Sequence, residues 1–316
     1  TADGMEALLR LVDRADVFVQ SMRPGTAERL GLGAAALRER NERLVYCSIG
    51  AFGSRGPLAG QPGYDPLMQA FTGIVSVTGE SDRPGVRVGT SLIDLGTGVW
   101  AALGIVAASL ERAQTGRGRE VDVSLFETGL SLVGYQLTDA FRTGTAPGRF
   151  GTAFPLIAPY EVFPTQDGEL MIAAANDGLF VQLCKRIGLP ALAEDPRFRT
   201  NPDRLANRDA LLPPIRARLA EESSAHWLDV LEGIPVAPVQ DIAKAAAHEQ
   251  TRAVGIVQEL AGIETLALPL EIDSERVGHH DAPPMLGAHS ADVLAELGYS
   301  AEEIEALAAA GVTRLA

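Results

Sequence analysis

Asp94 stands in Ser91-Leu92-Ile93-Asp94-Leu95-Gly96-Thr97-Gly98, at the head of a long alanine-rich apolar stretch. An aspartate in that place has two uses. It can cap the helix by accepting first-turn N–H groups, or it can serve as a reactive carboxylate sharpened by apolar neighbours. Gly96 and Gly98 favour the second use, because glycine is costly in a first helical turn unless something must approach the backbone closely. Arg23 follows an apolar, strand-like run and precedes Pro24-Gly25, with Arg29 six residues on. The carboxyl end of a parallel strand is where doubly wound folds take ligands, and an arginine there suits an anion. The other reading of Arg23 is a solvated surface charge. Glu127 invites a catalytic reading beside the plainer one, a helix-start glutamate. His279, His280, Asp281 and His289 lie among Pro283, Pro284 and Gly287, without the helical or knuckle spacing of a zinc site. No metal is expected. There is no P-loop, no G-x-S-x-G elbow and no paired C-x-x-C, and the glycine-rich run from Gly50 to Gly56 is weak as a motif.

The elements that must position these groups alternate through the first half. A helix over 4–14 precedes a strand at 16–19. A second helix (33–41) leads to a strand at 44–49, and a long helix (96–112) leads to a strand at 120–124. That alternation predicts a doubly wound parallel α/β sheet, Rossmann-like in kind. Breakers from Gly144 to Pro155 mark a linker. A strand pair at 160–163 and 169–174 follows, with helices over 177–187, 209–222 and 225–232. Strands at 254–260 and 264–270 come next, and terminal helices begin after Ser290 and Ser300 as N-caps. The expected organisation is a large domain over 1–145, a smaller central α+β domain over 146–255, and a segment 256–316 returning to the large one.

Composition narrows the partners. Hydrophobic residues at 46 % and charged residues at 22 % describe an ordinary soluble globular chain, with core enough in 316 residues for about two domains. A net charge of −14 argues against nucleic acid, whose phosphates call for a basic face. Local arginines can still hold an anionic ligand. The apolar stretch 99–110 is too short to span a bilayer and is expected to be a core helix. Cys47 and Cys184 read as buried thiols of a reducing compartment, and with no secretory leader in view the cytoplasm is expected. The chain opens on Thr1, directly in a helical pattern, so an upstream piece is expected.

Taken together, a series of segments resembles class III CoA-transferases. They begin with Gln20-Ser21-Met22-Arg23-Pro24-Gly25, Arg29-Leu30-Gly31, Asn41 and Arg43-Leu44-Val45-Tyr46-Cys47-Ser48-Ile49. They continue with Pro62-Gly63-Tyr64-Asp65-Pro66, the Asp94 segment, Thr115-Gly116-Arg117-Gly118 and Val121-Asp122-Val123-Ser124. Ala158-Pro159-Tyr160, Asp195-Pro196-Arg197-Phe198, Asn201, Asn207-Arg208 and Leu286-Gly287 with His289 extend the likeness along the whole chain. That family includes formyl-CoA transferase, carnitine CoA-transferase and the bile-acid-inducible transferases, with alpha-methylacyl-CoA racemase as a cousin.

The resemblance implies an enzyme that moves coenzyme A between carboxylic acids, with Asp94 as covalent nucleophile and first-turn N–H groups as oxyanion donors. It implies that Ser21, Met22, Arg23 and Arg29 border the CoA nucleotide and that Tyr64 lines the CoA site. It implies too that Gly96 and Gly98 let the ligand reach the helix backbone, and that Gly151 stands in for the family's glycine-rich lid. Partners are then an acyl-CoA and small carboxylic acids, with neither nucleic acid nor membrane, and the assembly is an interlocked homodimer. The racemase cousin carries a histidine thirty positions before its aspartate. Tyr64 occupies that place here, and a phenol with a reference pKa of about 10 is a poor base for an alpha proton. A racemase, or a non-catalytic CoA-binding homologue, is the alternative. The family's first strand and helix have no counterpart in this chain, and nothing in the sequence names the acyl donor or acceptor.

Overall fold

The computed structural model describes residues 1–278 and 281–316. The chain forms two compact units, one of residues 1–78, 85–148 and 281–316, the other of residues 79–84 and 149–280. Residues 256–278 thus pack within the second unit, whereas the sequence reading had the returning segment begin at 256.

The first unit is built on a parallel sheet in the order β1 (Val17–Gln20), β2 (Val45–Gly50), β3 (Glu120–Ser124). Phe18 pairs with Tyr46, and Cys47 pairs with Val121. Paired residues of a parallel sheet share a face and successive residues alternate, so Phe18 and Tyr46 face one way, Cys47 and Val121 the other. On the first face Tyr46 packs with Val12 of α1 (Ala2–Arg14) and Leu37 of α2 (Ala34–Arg40), and its hydroxyl donates to the Leu32 carbonyl at 2.9 Å. On the second face lies α4 (Leu92–Thr115), against Val121, where a Cβ on Gly104 would come within 2.7 Å of Val121 Cγ1, and α3 (Asp65–Phe71) packs against α4. Central β2 is therefore covered on both faces, as its fully buried Val45, Tyr46 and Cys47 require. Helix α5 (Leu125–Leu132) follows β3 directly, with Ser124 as its N-cap.

Helix α4 differs from its sequence reading. It starts four residues earlier, runs 24 residues, and is long and apolar enough to cross a bilayer by length and composition alone. Nor is it a core helix in this chain. Ile93, Thr97, Ala101 and Ala108 are buried, while Leu95, Val99, Leu103, Val106 and Leu110 form a stripe more than half exposed. The terminal helices Ser290–Glu296 and Ala301–Ala309 also belong to the first unit. Ser300 caps its helix in a box with Glu303, but Ser290 is already helical and His289 holds the cap position.

The second unit carries an antiparallel sheet of β4 (Tyr160–Pro164), β5 (Glu169–Ala173) and β6 (Val236–Pro238), with helices Asp177–Arg186, Arg208–Leu219 and Ser224–Val230. Its core joins Phe163, Ile172, Phe180, Leu211 and Trp227, and burial there pushes the Cys184 thiol up to about 12. Fully buried Arg204 donates to the carbonyls of Ala158 (2.6 Å) and Phe198 (3.1 Å) and to Asp177 Oδ1 (2.8 Å), and lies 4.5 Å over the Phe180 ring. Arg204→Leu strands two buried carbonyls, so a loss of about 3 kcal/mol is expected. Calorimetry should show the melting temperature lower by about 10 °C.

Candidate active site

A cavity of about 460 Å³ opens at the carboxyl ends of the parallel strands. Five pieces of chain converge on it: the turn Ser21–Pro24 after β1, Ile49–Ala51 at the end of β2, Gln61–Tyr64 ahead of α3, the first turns of α4 with Asp94, Thr97 and Gly98, and Leu125 at the start of α5. Gln20 holds the first of these. Its side-chain Oε1 accepts the Met22 N–H at 2.8 Å, while its Nε2 donates to Ser48 Oγ on β2 at 3.0 Å. A second cavity of about 350 Å³ shares Met22, Arg23, Pro24, Ile49 and Gly50 with the first. Arg23 stands at the junction, and among the described residues its side chain forms no ion pair or hydrogen bond.

Asp94 lies in the first turn of α4 rather than at its cap. Ser91 occupies the cap position and its side chain makes no capping bond. The first-turn amides are met from elsewhere. Oδ2 of Asp65, the first residue of α3, accepts the N–H groups of Ile93 (2.7 Å) and Asp94 (3.2 Å). Asp65 is 1 % exposed, and its Oδ1 accepts from Gln69 Nε2 at 2.6 Å. The Asp94 carboxylate is thereby spared a capping duty. It is exposed to the cavity and accepts no hydrogen bond among the described residues. Desolvation, and then the neighbouring Asp65 charge, raise its pKa above the ordinary carboxylate value.

Such a carboxylate, beside an arginine-lined cleft at the head of a parallel sheet, suits covalent or acid–base work on an anionic ligand. The profile of CoA-transferase family III matches residues 1–290. The chain belongs to that family. As a family III CoA-transferase it has CoA thioesters as its substrates, and the match reaches into both units, leaving out residues 291–316 of the first. It is 42 % identical to the acetyl-CoA:oxalate CoA-transferase of Acetobacter aceti, over 90 % of this chain and 73 % of that one. It is 33 % identical to the succinate–glutarate CoA-transferase of Agrobacterium fabrum, over 94 % and 76 %. Among solved structures, a CAIB/BAIF family protein from Brucella suis superposes with a TM-score of 0.84 at 35 % identity, covering 94 % of this chain and 79 % of that one.

Within this family III CoA-transferase the expected site residues separate. The first cavity brings together Ser21, Met22, Arg23, Tyr64 and Asp94. Gly96 turns away from it, with a Cβ there set to meet Thr128 Cγ2 of α5 at 3.1 Å, whereas Gly98 borders the space. Arg29 folds back on its own turn, donating to Thr26 Oγ1 at 2.8 Å, and lines neither cavity. Gly151 lies in the second unit at φ +59°, its N–H bonded to the Gly79 carbonyl, where a side chain would strike the Glu80 carboxylate at 2.6 Å. The oxyanion role expected of the first-turn amides meets an obstacle: Asp65 takes those of Ile93 and Asp94, and Leu95 N–H goes to Ser91 O. Glu127 sits in the first turn of α5, its carboxylate accepting from Ser124 Oγ at 2.6 Å. His279 and His280 lie outside the described residues, and no group of three metal-ligating side chains occurs among those described.

Asp65, Gln69 and Thr97 were given no role by sequence reasoning. Thr97 is buried, its hydroxyl donating to Ile93 O at 2.7 Å and lying 2.9 Å from Thr128 Oγ1, which seats α4 on α5. The available signal was the i, i+4 pair Asp65/Gln69 on one short helix face.

Proposed function

We propose that the protein carries coenzyme A from an acyl-CoA to a free carboxylic acid through covalent intermediates on Asp94. The observation that carries this reading is the uncapped, cavity-facing carboxylate at the head of α4. An Asp94 oxygen attacks the thioester carbonyl carbon; the C–S bond breaks, CoA leaves as thiolate, and a mixed anhydride remains. The thiolate then attacks the aspartyl carbonyl and displaces the first acid, giving an aspartyl-CoA thioester. An incoming carboxylate attacks that thioester to form a second anhydride. Return of the thiolate to the acceptor's carbonyl yields the new acyl-CoA and restores Asp94. No net proton moves. A carboxylate suits the task because its acyl derivatives match those of the substrates in energy.

The paired cavities support an extended ligand. The acyl end and pantetheine arm would lie in the first, beside Tyr64, and Arg23 would meet the phosphates where the two join. The relatives' names speak of oxalate, succinate and glutarate, so small dicarboxylic acids are the acceptors to try first. The enzyme is taken to work in the cytoplasm as an interlocked homodimer, and the exposed apolar stripe of α4 is a surface that a second copy would cover. The test is CoA exchange between acetyl- or succinyl-CoA and isotope-labelled oxalate, succinate and glutarate, where absence of transfer across the whole panel counts against the reading.

A pH dependence follows. Attack requires the ionised carboxylate, and the folded-state pKa of Asp94 is raised. The rate should therefore fall with decreasing pH through a midpoint above the usual aspartate value of about 3.9. A pH profile of kcat/KM checks this.

A further inference from the structure

Ser91-Leu92-Ile93-Asp94 has the Ser-x-x-Asp spacing of a capping box, in which the third-position carboxylate reaches back to the N-cap amide. Two boxes of that spacing form elsewhere in this chain, Thr200 with Asp203 and Ser300 with Glu303, each with both reciprocal bonds present. The Thr200 hydroxyl and N–H hold the Asp203 carboxylate below its ordinary pKa value, and the Ser300 N–H and hydroxyl do the same for Glu303. At Ser91 the box is unmade on both sides: Ser91 Oγ caps nothing, and the Asp94 carboxylate faces the cavity. Something overrides the local preference.

The override runs through Gln69, which is 0 % exposed. Its Nε2 donates to Asp65 Oδ1 at 2.6 Å and lies 3.3 Å from Thr90 O; its Oε1 accepts Val88 N–H at 2.8 Å. One side chain thus fixes two things at once. It orients the carboxylate that takes the Ile93 and Asp94 amides, and it anchors the backbone leading into Ser91. With the amides satisfied from α3, the helix start gains little from its own aspartate.

The geometry points to Gln69 as a positioning residue that, through Asp65 and the Val88–Thr90 backbone, keeps Asp94 out of a capping box and free for chemistry. The inference rests on Asp94 being the nucleophile. Without the amide of Gln69, Asp65 loses its orientation and Asp94 swings back onto Ser91 N–H, where it is turned from the cavity and made less basic.

Gln69→Leu tests this in the full chain, with Ser91→Pro as the rescue. Proline removes the N–H that would capture Asp94, and the Ser91 φ of −79° already suits it. Gln69→Leu is expected to lower kcat by about 10- to 100-fold with KM for acyl-CoA within about twofold. The acid limb of its pH profile should move to lower pH, and amide hydrogen exchange at Ile93 and Asp94 should speed up. Adding Ser91→Pro should restore much of kcat and return the acid limb, which a purely structural loss would not do. Faster exchange with unchanged kcat, or no recovery in the double variant, overturns the proposal. If Gln69→Leu does not fold, Asp65→Asn is read by the same measurements, with the same outcomes deciding. Should the wild-type enzyme transfer no CoA, the reading of Asp94 fails on its own; unchanged protection of Ile93 and Asp94 in Gln69→Leu would then overturn the clamp separately.

Discussion

Asp94→Ala is expected to lower CoA exchange by roughly 10⁴-fold or more, the scale on which loss of a covalent nucleophile acts. The fold should survive intact. The side chain accepts no hydrogen bond among the described residues, and its neighbour Asp65, not Asp94 itself, meets the first-turn amides. Its charge is disfavoured by desolvation and by Asp65, so removing it should not lower the melting temperature. Steady-state exchange and a thermal melt on one preparation check both halves. An inactive variant that is also unfolded would carry no weight for the nucleophile, whereas a folded variant with full exchange would remove it from the mechanism.

Arg23→Ala should act on binding rather than chemistry. Its guanidinium stands where the two cavities join and has no protein partner among the described residues. A charge-assisted bond to phosphate is worth about 1.5–3 kcal/mol, so KM for acyl-CoA should rise about 10- to 100-fold with kcat nearly unchanged. Arg23→Lys should recover part of that loss, since it keeps the charge but not the planar fork. Kinetics against acyl-CoA and against the free acid separate the effect: the KM for the acid should stay put. A fall in kcat alone would place Arg23 at the reacting atoms instead.

Features set by neighbours in sequence are legible in the sequence, and those set by distant partners are not. Strand β3 was read at its true bounds because Glu120–Ser124 alternates between a basic glycine turn and a capping serine. The start of α4 was misplaced by four residues, because Gly96 and Gly98 suppress local helix propensity while Asp65 restores the helix from 28 residues away in sequence. No local pattern reveals such a cap. Many residues that carry the family resemblance prove to be structural. Asn41 donates to the carbonyls of Val12 and Ala15, Gly118 admits the Leu44 carbonyl where any Cβ would collide at 1.9 Å, and Asn201 and Arg208 pin the backbone at Leu156 and Ile157. Their types were visible from the start; that they serve packing rather than ligand needed coordinates. Gly96 shows the same limit, since a glycine demanded by a neighbouring helix and one demanded by a ligand look identical in a string of letters.

Covalent loading of Asp94 is the step on which the whole transfer depends. Wild-type enzyme incubated with acyl-CoA, treated with hydroxylamine, digested and mapped by mass spectrometry should show a hydroxamate on the peptide carrying Asp94, and none after incubation with CoA alone. Exchange activity accompanied by an unmodified Asp94, or by an adduct on another side chain, would contradict it.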